Sequence, residues 1–160
     1  MVENSKNLLI KLIFLISVIA LVSAFFIEYV LGHQPCNLCI LERIPYLLAI
    51  IIILLNFKFS HYEKFFILLL SIIFLAGTII SLYHLGIEQG FVQESLVCDL
   101  KSGSNLLSKE EILKQLQEKN VSCKDVTFKI FGLSLTSYNF LISLLITISA
   151  GKTYFNYEKN

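Results

Sequence analysis

The sequence predicts an all-α integral membrane protein, a four-helix bundle with a long extracytoplasmic loop between its third and fourth helices. Three observations carry that prediction. Of the 160 residues, 56% are hydrophobic, and the mean hydropathy is +0.73. A water-soluble domain of this length must cover itself with more polar surface than that. The apolar residues are also gathered into four stretches, near the roughly 20 helical residues that a hydrocarbon core about 30 Å thick requires. Runs this long must satisfy their backbone hydrogen bonds internally, so they read as helices despite an isoleucine content that would suit strands in water.

The first span covers residues 8–31, with Lys11 near its start and Glu28 near its end. Lys6, Lys11 and the small residues of Val22-Ser23-Ala24 also fit a secretory signal peptide, but the apolar run continues to Leu31, beyond an ordinary signal core. The second span, residues 40–57, is short from Ile44 onward, and reaching back to Ile40 takes in Glu42 and Arg43. Pro45 suits a first helical turn and restricts Ile44, so the helix starts either near Ile40 or only at Pro45. The third and fourth spans cover residues 65–87 and 130–151, and the whole chain, 1–160, reads as one membrane domain.

Three loops follow, at residues 32–39, 58–64 and 88–129. In the last, Ser108-Lys109-Glu110-Glu111 has the form of a capping box. Ile112, Leu113 and Leu116 then share one face, and Glu110 and Lys114 form an i,i+4 pair on the other. This predicts a short amphipathic helix over 108–119 lying on the bilayer, against the alternative of a loop with one solvated turn.

Counting spans places the first and third loops on the same side, and all four cysteines, Cys36, Cys39, Cys98 and Cys123, lie in those loops. Lys6, Lys11, Lys58, Lys64, Lys152 and Lys159 sit on the termini and the second loop, whereas the first loop has no basic residue from the lysine–arginine pair before Arg43. The six lysines of the third loop are diluted by its length and by seven acids. The positive-inside rule then puts both termini in the cytoplasm and the cysteines outside, where disulfides persist. A net charge of +1 with a single arginine offers no basic stripe for nucleic acid.

Cys36-Asn37-Leu38-Cys39 admits three chemistries: a zinc half-site, a structural staple or a redox pair. Zinc fits poorly, because 24 residues lie between Cys98 and Cys123 and the pair lacks knuckle spacing, so no metal is expected. A staple suits that second pair, where one bond could contribute about 3 kcal/mol. It suits Cys36 and Cys39 badly, because so small a loop constrains little of the unfolded chain. Reactivity has support of its own. A helix beginning near Ile40 would stabilise a thiolate at Cys39, and Arg43 stands one turn on. An interfacial arginine can equally serve lipid phosphate, and Glu42 would oppose a thiolate if it faced Cys39.

Pro35-Cys36-Asn37-Leu38-Cys39-Ile40-Leu41-Glu42-Arg43 resembles the signature of the DsbB family of bacterial disulfide bond formation proteins. Tyr83-His84-Leu85-Gly86-Ile87-Glu88, Cys98-Asp99, Cys123 and Gly132-Leu133-Ser134-Leu135 agree with it in order along nearly the whole chain. The resemblance implies a membrane thiol oxidase in the bacterial inner membrane. Such a protein re-oxidises a periplasmic thioredoxin-fold oxidase of the DsbA type and passes the electrons to a quinone, ubiquinone or menaquinone. Carried over by position, Cys98 takes the mixed disulfide with the partner and Cys123 resolves it. Cys36 exchanges with that pair through Cys123, and Cys39 is the thiolate beside the quinone. Arg43 and His84 are the cofactor-side residues, although a histidine near a helix end can also be merely interfacial. The absence of tryptophan departs from the usual aromatic belts, leaving Phe and Tyr to serve. The alternative is a non-catalytic membrane subunit with two structural disulfides. A vitamin K epoxide reductase-like quinone reductase fits less well, because there the C-x-x-C comes late in the chain rather than early.

Overall fold

In the computed structural model, the structure describes residues 2–93, 98, 122–124, 129–130 and 132–158. The elements are α1 (Val2–Tyr29), α2 (Asn37–Leu41), α3 (Ile44–Lys58), a single 3₁₀ turn (Ser60–Tyr62), α4 (Glu63–Glu88), β1 (Lys129–Ile130), β2 (Leu133–Ser134) and α5 (Leu135–Glu158). The protein is therefore mostly helical, and the amphipathic helix expected over 108–119 lies outside the described residues. Among the described residues three stretches are long and apolar enough to cross a membrane: Lys6–Tyr29, Asn37–Lys58 and Glu63–Glu88.

The second stretch is not one continuous helix. Cys36 caps α2, which ends after a turn and a half, and α3 restarts at Ile44 with Pro45 in its first turn. Pro45 lacks the N–H that a continuous helix would need there, so the chain restarts and Glu42 and Arg43 fall at the junction. Ahead of α5, the apolar run from Ile130 reads as helix by composition, yet it opens with a two-stranded antiparallel hairpin pairing Lys129 with Ser134 and Ile130 with Leu133. Gly132, at φ 82°, takes the left-handed conformation that this tight reversal requires.

The helices pack in chain order, α1 on α3, α3 on α4, and α4 most extensively on α5. Lys6 pairs with Glu63 at the starts of α1 and α4, while Glu28 meets Arg43 where α1 ends and α3 begins. The apolar core runs through Ile10 and Ile13 of α1, Tyr46, Ala49, Ile52 and Ile53 of α3, Leu70 and Phe74 of α4, and Ile146 of α5. Tyr46 meets Phe74 edge to face with ring centroids 5.5 Å apart. Gly77 lets α4 approach the first turn of α3, since a Cβ there would stand 3.0 Å from the Pro45 ring. Leu15, Val22, Leu47, Leu54, Ile79 and Leu145 point outward and exposed. Water would penalise that surface, whereas lipid matches it.

The polarity of α5 has an internal destination. Thr136, Asn139, Ser143 and Thr147 recur at helical spacing; Thr136 meets Glu88 and His84, and the other three meet Ser81, Tyr46 and Thr78. Small polar residues at a helix–helix contact permit close approach and interhelical hydrogen bonds.

Phe74 is fully buried, whereas its neighbour Leu75 is 48% exposed. Phe74→Ala should therefore lower stability by about 3–5 kcal/mol, and Leu75→Ala by much less. Thermal unfolding of the purified protein in one detergent checks this; equal losses would place the core elsewhere.

Candidate active site

The site forms where α1 ends, α2 and α3 begin, α4 ends and α5 begins. Pro35 leads the chain into Cys36, whose extended backbone (φ −72°, ψ 169°) makes it the N-cap of α2. Its Sγ accepts the backbone N–H of Cys39 at 3.2 Å, and the two Sγ atoms lie 2.6 Å apart. The first-turn N–H thus serves Cys36, where the sequence suggested that a helix end would serve Cys39.

The second pair lies against the first. Cys98 and Cys123 are joined in a disulfide with their Cα atoms 6.0 Å apart. Cys36, Leu38, Ile87 and Cys123 form one buried cluster, with Cys39 and Cys98 packed against it. The Asn37 side chain donates to the Cys98 carbonyl at 3.2 Å, tying the distant segment to the C-x-x-C turn. All four cysteines therefore meet in one place.

His84, 2% exposed, is brought to the same place by α4. Its Nε2 lies 3.6 Å from Cys36 Sγ and its Nδ1 is 2.8 Å from Glu42 Oε1. The other Glu42 oxygen accepts from Asn139 Nδ2 at 2.9 Å, and that amide also donates to Ser81 Oγ at 2.7 Å. Tyr46 donates its hydroxyl to Asn139 Oδ1. Glu88, one turn beyond His84, accepts from Thr136 and Ser134, each at 2.6 Å. These bonds satisfy polar groups that would otherwise be costly to bury.

The Cys36 thiol is lowered from an ordinary 9.0 to about 5. The hydrogen bond from Cys39 is the largest cause, burial opposes it, and the hydrogen bond and charge of His84 add to it.

Arg43 takes its partners from α1. It pairs with Glu28 and lies over the Phe25 ring, 5.3 Å from its centroid. It nonetheless lines a cavity of about 570 Å³ that opens between α1 and α5, two helices that touch only sparsely. Ile16, Ile19, Ala20 and Ile27 wall one side and Leu135 and Ile142 the other, while Cys39, Cys36, Arg43 and His84 close the polar end.

The C-x-x-C motif, the second cysteine pair, Arg43 and His84 were candidates from sequence. The partnering of Glu42 with His84, and the parts played by Glu28, Glu88, Thr136 and Asn139, were not. A usable signal existed, because carboxylates within or beside apolar spans are expensive unless they have a partner or a task.

Residues 6–152 match the protein family described as Disulfide bond formation protein DsbB. A Rickettsia prowazekii (strain Madrid E) protein, described as "Uncharacterized protein RP370", is 35% identical over 150 residues, covering 91% of this chain and 86% of its own. No solved structure matches.

The lowered Cys36 thiol sets a pH dependence. A depressed value keeps the thiolate populated above it and loses it as pH falls through it. The ultraviolet thiolate absorbance of the reduced protein, taken as the difference from Cys36→Ser, should persist from about pH 8 to about pH 6 and fade near the value of about 5. Loss already below about pH 8 would mean an ordinary thiol.

Proposed function

The chain belongs to the DsbB family of membrane disulfide-forming proteins, and from that premise we propose that it re-oxidises a periplasmic thioredoxin-fold dithiol of the DsbA type and delivers the electrons to a quinone. In this reading α5 is a fourth span, the termini are cytoplasmic, and the cysteines face the periplasm across the bacterial inner membrane. The lysine bias of the sequence supports that orientation, and the inward-facing polar stripe of α5 supports a bundle helix less apolar than its neighbours.

The observation that carries the proposal is the cavity between α1 and α5. Its volume of about 570 Å³ is in the range of small-molecule sites. Its walls are aliphatic, its polar end holds Cys39, and its position between two lipid-facing helices suits a ligand that arrives from the bilayer. Ile16, Ile19, Ala20, Leu135 and Ile142 would hold an isoprenoid chain, and Arg43 and His84 would face the ring. A bound quinone supplies a two-electron, two-proton acceptor.

The chain's own residues handle the electrons before that point. A partner thiolate attacks Cys98 and breaks the Cys98–Cys123 bond; release of the oxidised partner leaves those two cysteines as a dithiol. Cys123 then exchanges with the Cys36–Cys39 disulfide, so that Cys98 and Cys123 pair again and Cys36 and Cys39 take up the electrons.

The protein in lipid nanodiscs, mixed with a reduced thioredoxin-fold dithiol and ubiquinone or menaquinone, should consume thiols and reduce quinone in equal amounts. Cys39→Ser should lower the rate by at least about 10³-fold, as removal of a covalent catalyst does. Unchanged quinone absorbance, or full activity in Cys39→Ser, would overturn the reading. Two disulfides that remain oxidised while thiol is consumed would point to a structural subunit instead.

A further inference from the structure

We propose that His84 holds the Cys36 sulfur as a thiolate during exchange between the two cysteine pairs, by donating its Nε2–H to it, with Glu42 and Asn139 as the positioning residues that aim it. The inference rests on the disulfide-exchange half of the function proposed above and needs no quinone. Three contacts in line support it. His84 Nε2 faces Cys36 Sγ at 3.6 Å, His84 Nδ1 faces Glu42 Oε1 at 2.8 Å, and Asn139 holds the second Glu42 oxygen at 2.9 Å. A carboxylate that accepts from Nδ1–H fixes the ring orientation and leaves Nε2 for the reacting atom. The line crosses four segments of chain: Cys36 ahead of α2, Glu42 between α2 and α3, His84 on α4 and Asn139 on α5.

Burial makes the arrangement consequential. His84 is 2% and Cys36 5% exposed, so bulk water has little access to solvate a sulfur expelled there. A local donor is needed, and among the described residues His84 is the ionisable side chain in contact with the Cys36 sulfur besides Cys39. The charged and polar groups facing His84 are Glu42, Glu88 from its own helix at 3.9 Å, the Thr136 hydroxyl of α5 at 3.3 Å, and Cys36. A ring whose Nδ1–H is given to Glu42 donates from Nε2 as well only when both nitrogens carry protons.

The step balances within the chain. The Cys123 thiolate attacks Cys36 Sγ, the Cys36–Cys39 bond breaks, and Cys39 leaves with the electron pair. The Cys98 thiolate then attacks Cys123 Sγ, the Cys36–Cys123 bond breaks, and Cys36 leaves with its electron pair as a thiolate that accepts the Nε2–H of His84. Cys98 and Cys123 are oxidised by two electrons, and Cys36 and Cys39 are reduced by two. Of the two protons released by Cys98 and Cys123, one is taken by Cys39 and the other passes to bulk water. In the opposite direction the same contact keeps Cys36 as the thiolate that attacks.

The test is a single turnover of the full chain in quinone-free nanodiscs. Fully oxidised protein is mixed with a reduced thioredoxin-fold dithiol, quenched in acid, alkylated, and each cysteine is quantified by peptide mass. In the wild type, Cys98–Cys123 opens first and the electrons then reach Cys36 and Cys39. That second step should slow as pH rises, with the profile of one ionising group. His84→Gln should slow it by about 10²–10⁴-fold relative to the first step in the same trace, and abolish its pH profile. Glu42→Gln should slow it less and displace the profile. Should His84→Gln not fold, Glu42→Gln and Asn139→Ala still test the relay through that displacement. An unchanged second step with an unchanged profile in His84→Gln would overturn the relay while leaving thiol oxidation intact. Failure of the wild type to open Cys98–Cys123 at all would overturn both.

Discussion

The contact on which the polar end of this protein depends is the 2.8 Å bond between His84 of α4 and Glu42 at the head of α3. Both side chains are almost fully enclosed in a bundle whose other contacts are mostly aliphatic. Removing one partner would leave the other buried without compensation, a loss of about 3–5 kcal/mol. The bond also sets register. It holds α4 against α3, and Asn139 extends it to α5 through the second Glu42 oxygen. The end of α4, the start of α3 and the start of α5 are thereby fixed around Cys36.

From that constraint the chemistry takes its shape. The polar cluster supports the thiols from the inside of the bundle, and the cavity reaches them from the side, between α1 and α5. On the far side of the C-x-x-C turn, Asn37 and the buried Cys36, Leu38 and Ile87 receive the second cysteine pair. The C-x-x-C is thus held between the second cysteine pair and a largely aliphatic cavity. On the proposed function, that layout suits the passage of electrons from an aqueous dithiol to an apolar acceptor. Arg43 contributes at the cavity wall, where Glu28 and the Phe25 ring fix its position instead of a thiolate.

Much of this was legible in the residues. Apolar runs over the first three spans mark three helices, because a backbone in lipid must bond to itself. Cysteine spacing and family resemblance picked out Cys36, Cys39, Cys98 and Cys123. What periodicity could not reach was the interruption between Leu41 and Ile44 and the hairpin at Gly132, where a proline and a left-handed glycine override an apolar run. Partner choice was also hidden. Glu42 stands three residues from Cys39 in the chain, yet its carboxylate goes to His84, 42 positions away, because that is where the helices converge. Likewise the modest apolarity of α5 makes sense only once its Thr, Ser and Asn side chains are seen to face α4 and Tyr46.

The central claim is that electrons leave the C-x-x-C through the cavity between α1 and α5. Photolabelling with a diazirine-bearing quinone in native membranes, followed by peptide mapping, tests it most directly. The account predicts labels on α1 between Ile16 and Ile27 and on α5 between Leu135 and Ile142, the helices that wall the cavity, with labelling suppressed by excess natural quinone. Labels confined to the outer faces of α3 and α4, or insensitive to competition, would contradict it.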